Sequence, residues 1–567
     1  MKTKYIVPLL LFCLFACIAC EDETTEMPRL FRPSFIASSC FAESNTITLA
    51  WRTSGEATSY TIELSQDATF QSENLETQTV EKGKCTFANL RYETKFYARV
   101  RANNESLAIT SNWTEMGSSI STLSRTIPKI LYAVEGSQIN ETSVEIKWVV
   151  SEKNPVDGLA IWEEGTTEEK QISLEDASAG QYTITGLTPR TTYYVALTNS
   201  AAPEGAEKYN QQRFTTAGMP ADAVVVEDGV DLMDKIKAGM DDTSKQALVF
   251  QLKNGVDYYL TTGGEVAAKT GDIKLTKSIA LLANPGERPT LYIREGCFIV
   301  KPEVGNMPNI EYFIVDNVNI KETWTESKPS KGSKTRLLNI GKHNAGTDFT
   351  IDRFEITNSD IVLLMSDASE GVTTINHIRI DNCLVSGIND TKNVTKQFGF
   401  IHAINKGSNV WNDVSVTNST FYEFYISPGV FGAPTADVPI AAGNKVVISN
   451  CTFYNWGSNK DGKNTYRAVG NFSKLTAPLN LSVSNCVFGS SKSKVLDAGS
   501  INLNSKDNYC TSDFEKMSDA GLTLISLDTD DASLFRNVEE NDFTVVDAES
   551  VIYKSEYGDP RWIKVLD

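Results

Sequence analysis

From residue 309 onward apolar and polar residues alternate in short bursts, and six bursts end the same way: apolar, any, apolar, any, Asn, any, any, apolar. The instances are Phe313-Val315-Asn317-Ile320, Phe354-Ile356-Asn358-Ile361, Ile378-Ile380-Asn382-Val385, Val414-Val416-Asn418-Phe421, Val446-Ile448-Asn450-Phe453 and Leu481-Val483-Asn485-Phe488. Period-two alternation is the mark of a strand with one buried face. Its recurrence marks a repeat whose unit buries that face only by stacking on the next one. The asparagines are separated by 41, 24, 36, 32 and 35 residues. Twenty-four residues is close to a bare coil, and the excess elsewhere is loop thrown out from the stack. An Asn at the bend can bond its own or a neighbouring coil's backbone. Cys383, Cys451 and Cys486 each follow a motif Asn and read as small buried fillers of successive coils.

A second repeat lies upstream. Trp51 and Trp148 are 97 residues apart, each in an apolar strand pattern ("TITLAWR", "SVEIKWVV"), and 39 residues after each comes a leucine, Leu90 or Leu187, opening a new alternation. Between the two repeats, "GVDLMDKIKAGM" sets Val230, Met233, Ile236 and Met240 on one helical face, a helix suited to covering the open end of a stack of coils. The chain therefore reads as all-β, with 28–125 and 126–217 as two copies of one unit, which the resemblance of Leu187, Pro189, Thr191, Tyr193 and Val195 to the fibronectin type III pattern implies to be β-sandwiches, and 218–567 as the stack.

The first residues, "MKTKYIVPLLLFCLFACIACEDE", set Lys2 and Lys4 before an apolar run too short for a comfortable membrane span, the pattern of a secretory signal over 1–20, followed by an acidic linker over 21–27. The chain carries 53 basic and 72 acidic side chains, a net of −19, and loss of the signal removes only the two lysines. So acidic a chain lacks the basic footprint that nucleic acid requires. Of the ten cysteines, three sit in the signal. Cys40 and Cys85 could pair in an oxidising compartment, which spacing alone leaves open.

These patterns carry resemblances. The end of the signal, with Cys20 before Glu21-Asp22-Glu23, resembles a bacterial lipoprotein signal with acylation at Cys20, and the acidic tract resembles the surface-export signal of Bacteroidota lipoproteins; Leu14-Phe15-Ala16 before Cys17 fits the usual lipobox better at its third position before the cut, which leaves Cys17 as the alternative acylated residue. Leu187, Pro189, Thr191, Tyr193 and Val195 resemble the fibronectin type III pattern in full, whereas in the first copy Tyr92 replaces the proline and Phe96 the tyrosine, removing the hydroxyl of the tyrosine corner. The Asn-punctuated coils resemble the pectate-lyase-like right-handed parallel β-helix. The tail "NDFTVVDAESVIYKSEYGDPRW" resembles the closing segment of β-helical proteins from Bacteroidota polysaccharide-utilisation loci. The resemblance implies a lipid-anchored outer-membrane protein facing the cell exterior. It would capture a polysaccharide, such as pectin-type homogalacturonan, for a glycan transporter and surface enzymes.

Candidate chemistry follows from what such ligands need. Trp324, Trp411 and Trp456 fall near expected loops of the stack, where an exposed indole would be a platform for a sugar ring, against the alternative of burial in the core. Lys328, Lys331, Lys334 and Arg336, with Lys342 beyond, form a basic stretch that could receive carboxylated sugars; a solvated loop is the plainer reading of the same composition. A lyase would instead need a base beside a neutralised carboxylate, and Lys460, Lys463 and Arg467 are its candidates, with calcium as the one cofactor that alternative would add. There is no Gly-His-Gly, and His343, His377 and His402 are the only histidines, so the polygalacturonase-like pattern is missing. Asp528, Asp530 and Asp531 form the densest acidic cluster, past the last motif, and read as solvated charge; no metal site is assigned. Capture of glycan is the leading reading, with a polysaccharide lyase and a structural adhesin as alternatives.

Overall fold

The computed structural model describes residues 29–72, 74–261, 273–293, 296–323, 336–341, 346–360, 364–366, 371–386, 399–403, 408–423, 429–432, 445–456, 467–473, 479–516 and 522–566. Its backbone is predominantly β. Two compact units divide the chain: one holds the first sandwich, and the other joins Ile127–Thr198 to Tyr209–Asp567, so that the second sandwich and everything after it form one body. Among the described residues no helix is long and apolar enough to cross a membrane.

Both sandwiches are antiparallel. The first sets Thr46–Arg52, with its neighbours Ser34–Phe35, Phe41–Glu43 and Lys84–Phe87, against a sheet centred on Ser59–Ser65 and Lys95–Asn104. Its core holds Trp51, Tyr60, Phe87 and Phe96. The second pairs Ser143–Lys147 with Gln181–Thr185, and Gly158–Glu163 lies between Lys170–Ser173 and Thr192–Thr198. Trp148 and Tyr193 are buried in it, and the Tyr193 hydroxyl accepts the Thr188 amide at 3.1 Å, which is the corner bond expected of this copy. Cys40 and Cys85 are not joined: the Cys40 thiol faces the Ala50 carbonyl and Cys85 the Gln78 amide.

Beyond residue 223 every sheet is parallel until the tail. The chain visits three faces in rotation: a ten-stranded sheet, a nine-stranded sheet, and a third face made of a three-stranded and a six-stranded sheet. Each motif strand belongs to the ten-stranded sheet, and its apolar residues fall in strict register. Phe313, Phe354, Ile378, Val414, Val446 and Leu481 form one inward column, and Val315, Ile356, Ile380, Val416, Ile448 and Val483 another. On the third face Phe421, Phe453 and Phe488 stack with ring centroids 5.2 and 5.0 Å apart. Such offset stacks add dispersion to area burial. Helix Leu232–Asp241, capped by Asp231, turns Leu232, Met233, Ile236 and Met240 into the same core at its first coils.

All six motif asparagines adopt left-handed backbone, φ between 50° and 59°. That region penalises a Cβ and is entered most readily by Gly and Asn. The asparagines are thus chosen for the bend itself, and their side chains mostly bond other side chains rather than backbone. The next residue, Ser359, Cys383, Ser419, Cys451 or Cys486, donates to the carbonyl two residues back at 2.6–3.3 Å. The three thiols are fully buried, and burial pushes that of Cys383 up to about 12.

A seventh bend escapes the motif. Asp507, φ 51°, lies one coil beyond Asn485, preceded by Ser505 where the motif wants an apolar residue. The tail then lies along the outside of the six-stranded sheet. Phe543 packs on Tyr422 and Tyr454, and buried Asp559 accepts from Thr420 Oγ1 at 2.7 Å.

Candidate functional site

The asparagine column forms one wall of a groove whose other wall is the second sandwich. Two cavities, about 200 and 280 Å³, share Val134, Arg213 and Asn382. The first reaches to Asn317 and Asn358, the second to Asn418 and Asn450. With strands about 4.8 Å apart, five successive asparagines mark out roughly 19 Å of groove. The facing wall brings Gly136, Arg190 and Gln211 to Thr216, with Arg561 from the tail.

Arg213 crosses the middle. Its Nε and Nη2 grip both oxygens of Glu164 at 2.7 and 3.2 Å, and Nη2 also reaches Asp381 Oδ2 at 2.9 Å. Arg379 bridges the same two acids at 3.2 and 3.1 Å. Asp381 is 2% exposed, and its other oxygen accepts from Thr417 Oγ1 and Asn418 Nδ2 at 2.7 and 2.8 Å. Burial by itself would raise its pKa, but Arg213 and Arg379 outweigh burial and hold the carboxyl below its usual value. Toward the first cavity the pairs loosen: Arg190 stands 3.6 Å from Asp316, and Arg288 stands 3.8 Å from Asp360 while its Nε bonds Asn317 Oδ1 at 3.2 Å. Burial lowers the pKa of Arg288 and raises that of Asp360.

Along the column each amide makes one donor bond: Asn358 to Asp316 and Asn382 to Asn358, Asn418 to Asp381, Asn450 to Asn418. A primary amide has two N–H groups. One donor per coil is left over, repeated at the strand spacing.

The residues expected from sequence are placed elsewhere. Trp411 is 7% exposed and Trp456 fully buried, the latter in edge contact with Phe453 and Phe488 and donating Nε1 to the Lys494 carbonyl. Both indoles belong to the core, and neither can be a sugar platform. Trp411 lies within strand Ser408–Thr417, paired with Ile375 in an inward column, and Trp456 follows Thr452–Tyr454 closely enough to be drawn inside, where its area buries best. Arg336 and Arg467 open two strands of the nine-stranded sheet, Arg336–Ile340 and Arg467–Asn471. Arg467 Nε lies 2.5 Å from Asp497 Oδ2, and Lys494 holds the other oxygen at 2.9 Å, so its guanidinium is committed to a protein carboxylate rather than poised as a base. Cys20, Trp324, Lys328, Lys331, Lys334, Lys342, Lys460 and Lys463 lie outside the described residues. Asp531, read as solvated, is 3% exposed.

The outer face of the ten-stranded sheet carries a second polar column: Arg353, His377, Asp413, Lys445, Asn480 and Asn502, in register and all exposed. The groove was legible only in half. Its asparagines announce themselves by repetition, whereas Arg190, Arg213 and Glu164 come from a different domain and carry no motif.

A family model described as a domain of unknown function (DUF5123) matches residues 446–562. Similar solved structures include the FN1–FN3 domains of chicken CNTN1, at 14% identity and a TM-score of 0.15, covering 34% of this chain and 68% of that one. Another is the fn3 domain of the human collagen alpha-1(XX) chain, at 15% identity and a TM-score of 0.15, covering 18% and 94%. No curated protein matches.

Proposed function

We propose that this is a cell-surface glycan-binding lipoprotein, acylated at Cys20 and held at the outer membrane facing outward. Its two fibronectin type III-like spacers carry a right-handed parallel β-helix of the pectate-lyase-like kind. The helix captures a uronate polymer, of the homogalacturonan type, for a transporter and surface enzymes. The observation that carries this reading is the row of spare amide donors from Asn317 to Asn450 along one wall of the groove. Their spacing is close to the length of one sugar residue in an extended chain. Arg190 and Arg288 hold their own carboxylates at distances longer than a charge-assisted hydrogen bond, which leaves donors for a ligand's acid.

Affinity electrophoresis of the mature protein through gels containing a panel of plant and host polysaccharides tests this. Retardation is expected in a uronate polymer, and Asn382→Gly with Asn418→Gly abolishes it, because glycine keeps the left-handed bend while deleting the amides. Charge reversal of Arg353 and Lys445 on the outer column leaves retardation intact. Equal retardation of the parent and the glycine variant sinks the groove assignment. No retardation in any gel returns the protein to the adhesin reading. Polymer shortening, with products that absorb in the ultraviolet, replaces capture by cleavage.

A further inference from the structure

Where the coils end, three segments bring oxygen atoms together with no lysine or arginine among the described residues to balance them. Asp531 accepts the Ser490 amide on Oδ2 at 2.7 Å, and its carboxyl lies close to Thr511 and the Asp513 carboxylate, yet its Oδ1 makes no hydrogen bond of proper geometry. The Thr511 hydroxyl, 1% exposed, lies beside that carboxylate yet makes no hydrogen bond of proper geometry. Asp513 completes the group: its Oδ2 stands 3.5 Å from the Asp531 amide nitrogen. Among the described residues, no lysine or arginine pairs with Asp513 or Asp531. The backbone makes room for this arrangement. A Cβ at Gly489 would come within 2.9 Å of both Asp531 Oδ1 and the Tyr454 ring.

A buried carboxylate with an idle oxygen, next to a second carboxylate, is costly unless something positive sits between them. A buried hydroxyl with no partner adds a neutral oxygen to the same place. Two acids and a hydroxyl, without nitrogen or sulfur, are the donor set of a hard cation, and calcium completes its six to eight oxygens with carbonyls and water more tolerantly than magnesium does. We infer that Asp513, Asp531 and Thr511 form a site for a divalent cation of calcium's class, fastening the turns at 489–490 and 511–513 to the start of the tail. The sequence alone hides this site, because Asp531 reads as one of a solvated trio and Asp513 stands far from it along the chain. The site is independent of the glycan groove, so either can fail without the other.

The test uses the mature protein, stripped with EDTA, and terbium as the ion. Tyr454 lies against the site and sensitises bound terbium, so excitation of tyrosine gives terbium luminescence that calcium displaces. Calcium also raises the unfolding temperature relative to EDTA. Asp513→Asn, at an exposed position that tolerates the change, weakens terbium half-saturation about tenfold or more and removes the calcium-dependent rise. Tyr454→Phe removes the luminescence but keeps that rise, which separates the sensitiser from the ligands. Luminescence unaltered by Asp513→Asn, or an unfolding temperature indifferent to calcium, overturns the assignment.

Discussion

The sandwiches and the coil stack solve the same local problem, a chain reversal in left-handed backbone, with different residues. In the sandwiches the positive-φ positions that are not glycine fall on Ser44, Phe70, Asn89, Glu93, Ala108 and Arg190, a list with no chemical theme. In the stack the bend that closes each motif strand falls on Asn317, Asn358, Asn382, Asn418, Asn450 and Asn485, with Asp507 as a seventh, while a second bend after Tyr422 and Tyr454 falls on Glu423 and Asn455. A sandwich bends each turn once, and the surrounding fold can impose an unfavourable residue on it. A stack repeats one bend in every coil, so the cost of a poor residue is multiplied, and the residue that fits best recurs.

The sharpest way to break that comparison is to attack a column. Phe453 sits between Phe421 and Phe488 and touches Trp456, so Phe453→Ala opens a cavity shared by several coils. A loss of about 4 kcal/mol is expected. It should appear as a lower unfolding temperature for the stack in calorimetry, while the first sandwich, a separate compact unit, unfolds where it did.

Next in size is an effect of pH on a residue that only the stack possesses. His402 is 3% exposed on the nine-stranded sheet, accepting the Gly399 amide on Nδ1 at 2.8 Å. Burial, and then the charge of Arg336, lower its pKa from 6.5 to about 3. Below 6.5 the unfolded chain takes a proton that the folded chain refuses until about 3. Stability from this group is therefore complete above 6.5 and falls as pH drops through that window, by about 2 kcal/mol at pH 5. Denaturant titrations of the parent and of His402→Gln should differ in slope between pH 6.5 and 4. Parallel curves would show that the ring titrates normally.

What the sequence disclosed, and what it withheld, follows the same division. Alternation and the spaced asparagines exposed the coils because each repeats its neighbour. The seventh coil was missed because Asp507 and Ser505 depart from the motif while keeping its geometry. The tryptophans misled for a physical reason: an indole near an expected loop says nothing of which way the strand beside it faces, and Trp411 and Trp456 face inward. The groove's second wall comes from residues more than a hundred positions upstream, joined to the column by Arg213 and Glu164. No periodicity reports such a meeting, since it depends on how two domains pack and not on how either one repeats.

A smaller effect bears directly on the bends. At Asn418, φ 50°, both alanine and glycine delete the bond to Asp381, but only alanine must carry a Cβ into left-handed backbone. Asn418→Ala should therefore be less stable than Asn418→Gly by about 1 kcal/mol. In the first sandwich the sign reverses against the native residue: Glu93, φ 48°, is a poor occupant, and Glu93→Gly should stabilise by about 0.5 kcal/mol. Urea unfolding of the four proteins measures both. If Glu93→Gly destabilises as Asn418→Ala does, the two kinds of turn are under the same constraint and the contrast collapses.

The last and smallest effect compares the sandwiches with each other. Tyr193 and Phe96 occupy matching places, and both are buried, but only Tyr193 has a hydroxyl, which accepts from the Thr188 amide. Removing it by Tyr193→Phe leaves that amide without its partner and should cost about 1 kcal/mol. Arg91 stands five residues before Phe96, as Thr188 does before Tyr193, so Phe96→Tyr offers its amide the same acceptor. The gain should be smaller than the loss at Tyr193. The first corner already ties its chain with Thr122, whose Oγ1 accepts from the Thr94 amide at 3.0 Å and donates to the Arg91 carbonyl at 2.7 Å. Thr216 makes the equivalent bonds in the second sandwich, to Thr191 and Thr188, so the hydroxyl of Tyr193 is an addition to a shared clasp and not a replacement for it. A loss at Tyr193 well above 1 kcal/mol would mean that the second sandwich relies on its corner more than on the shared threonine clasp, and that the hydroxyl is not a mere addition to it.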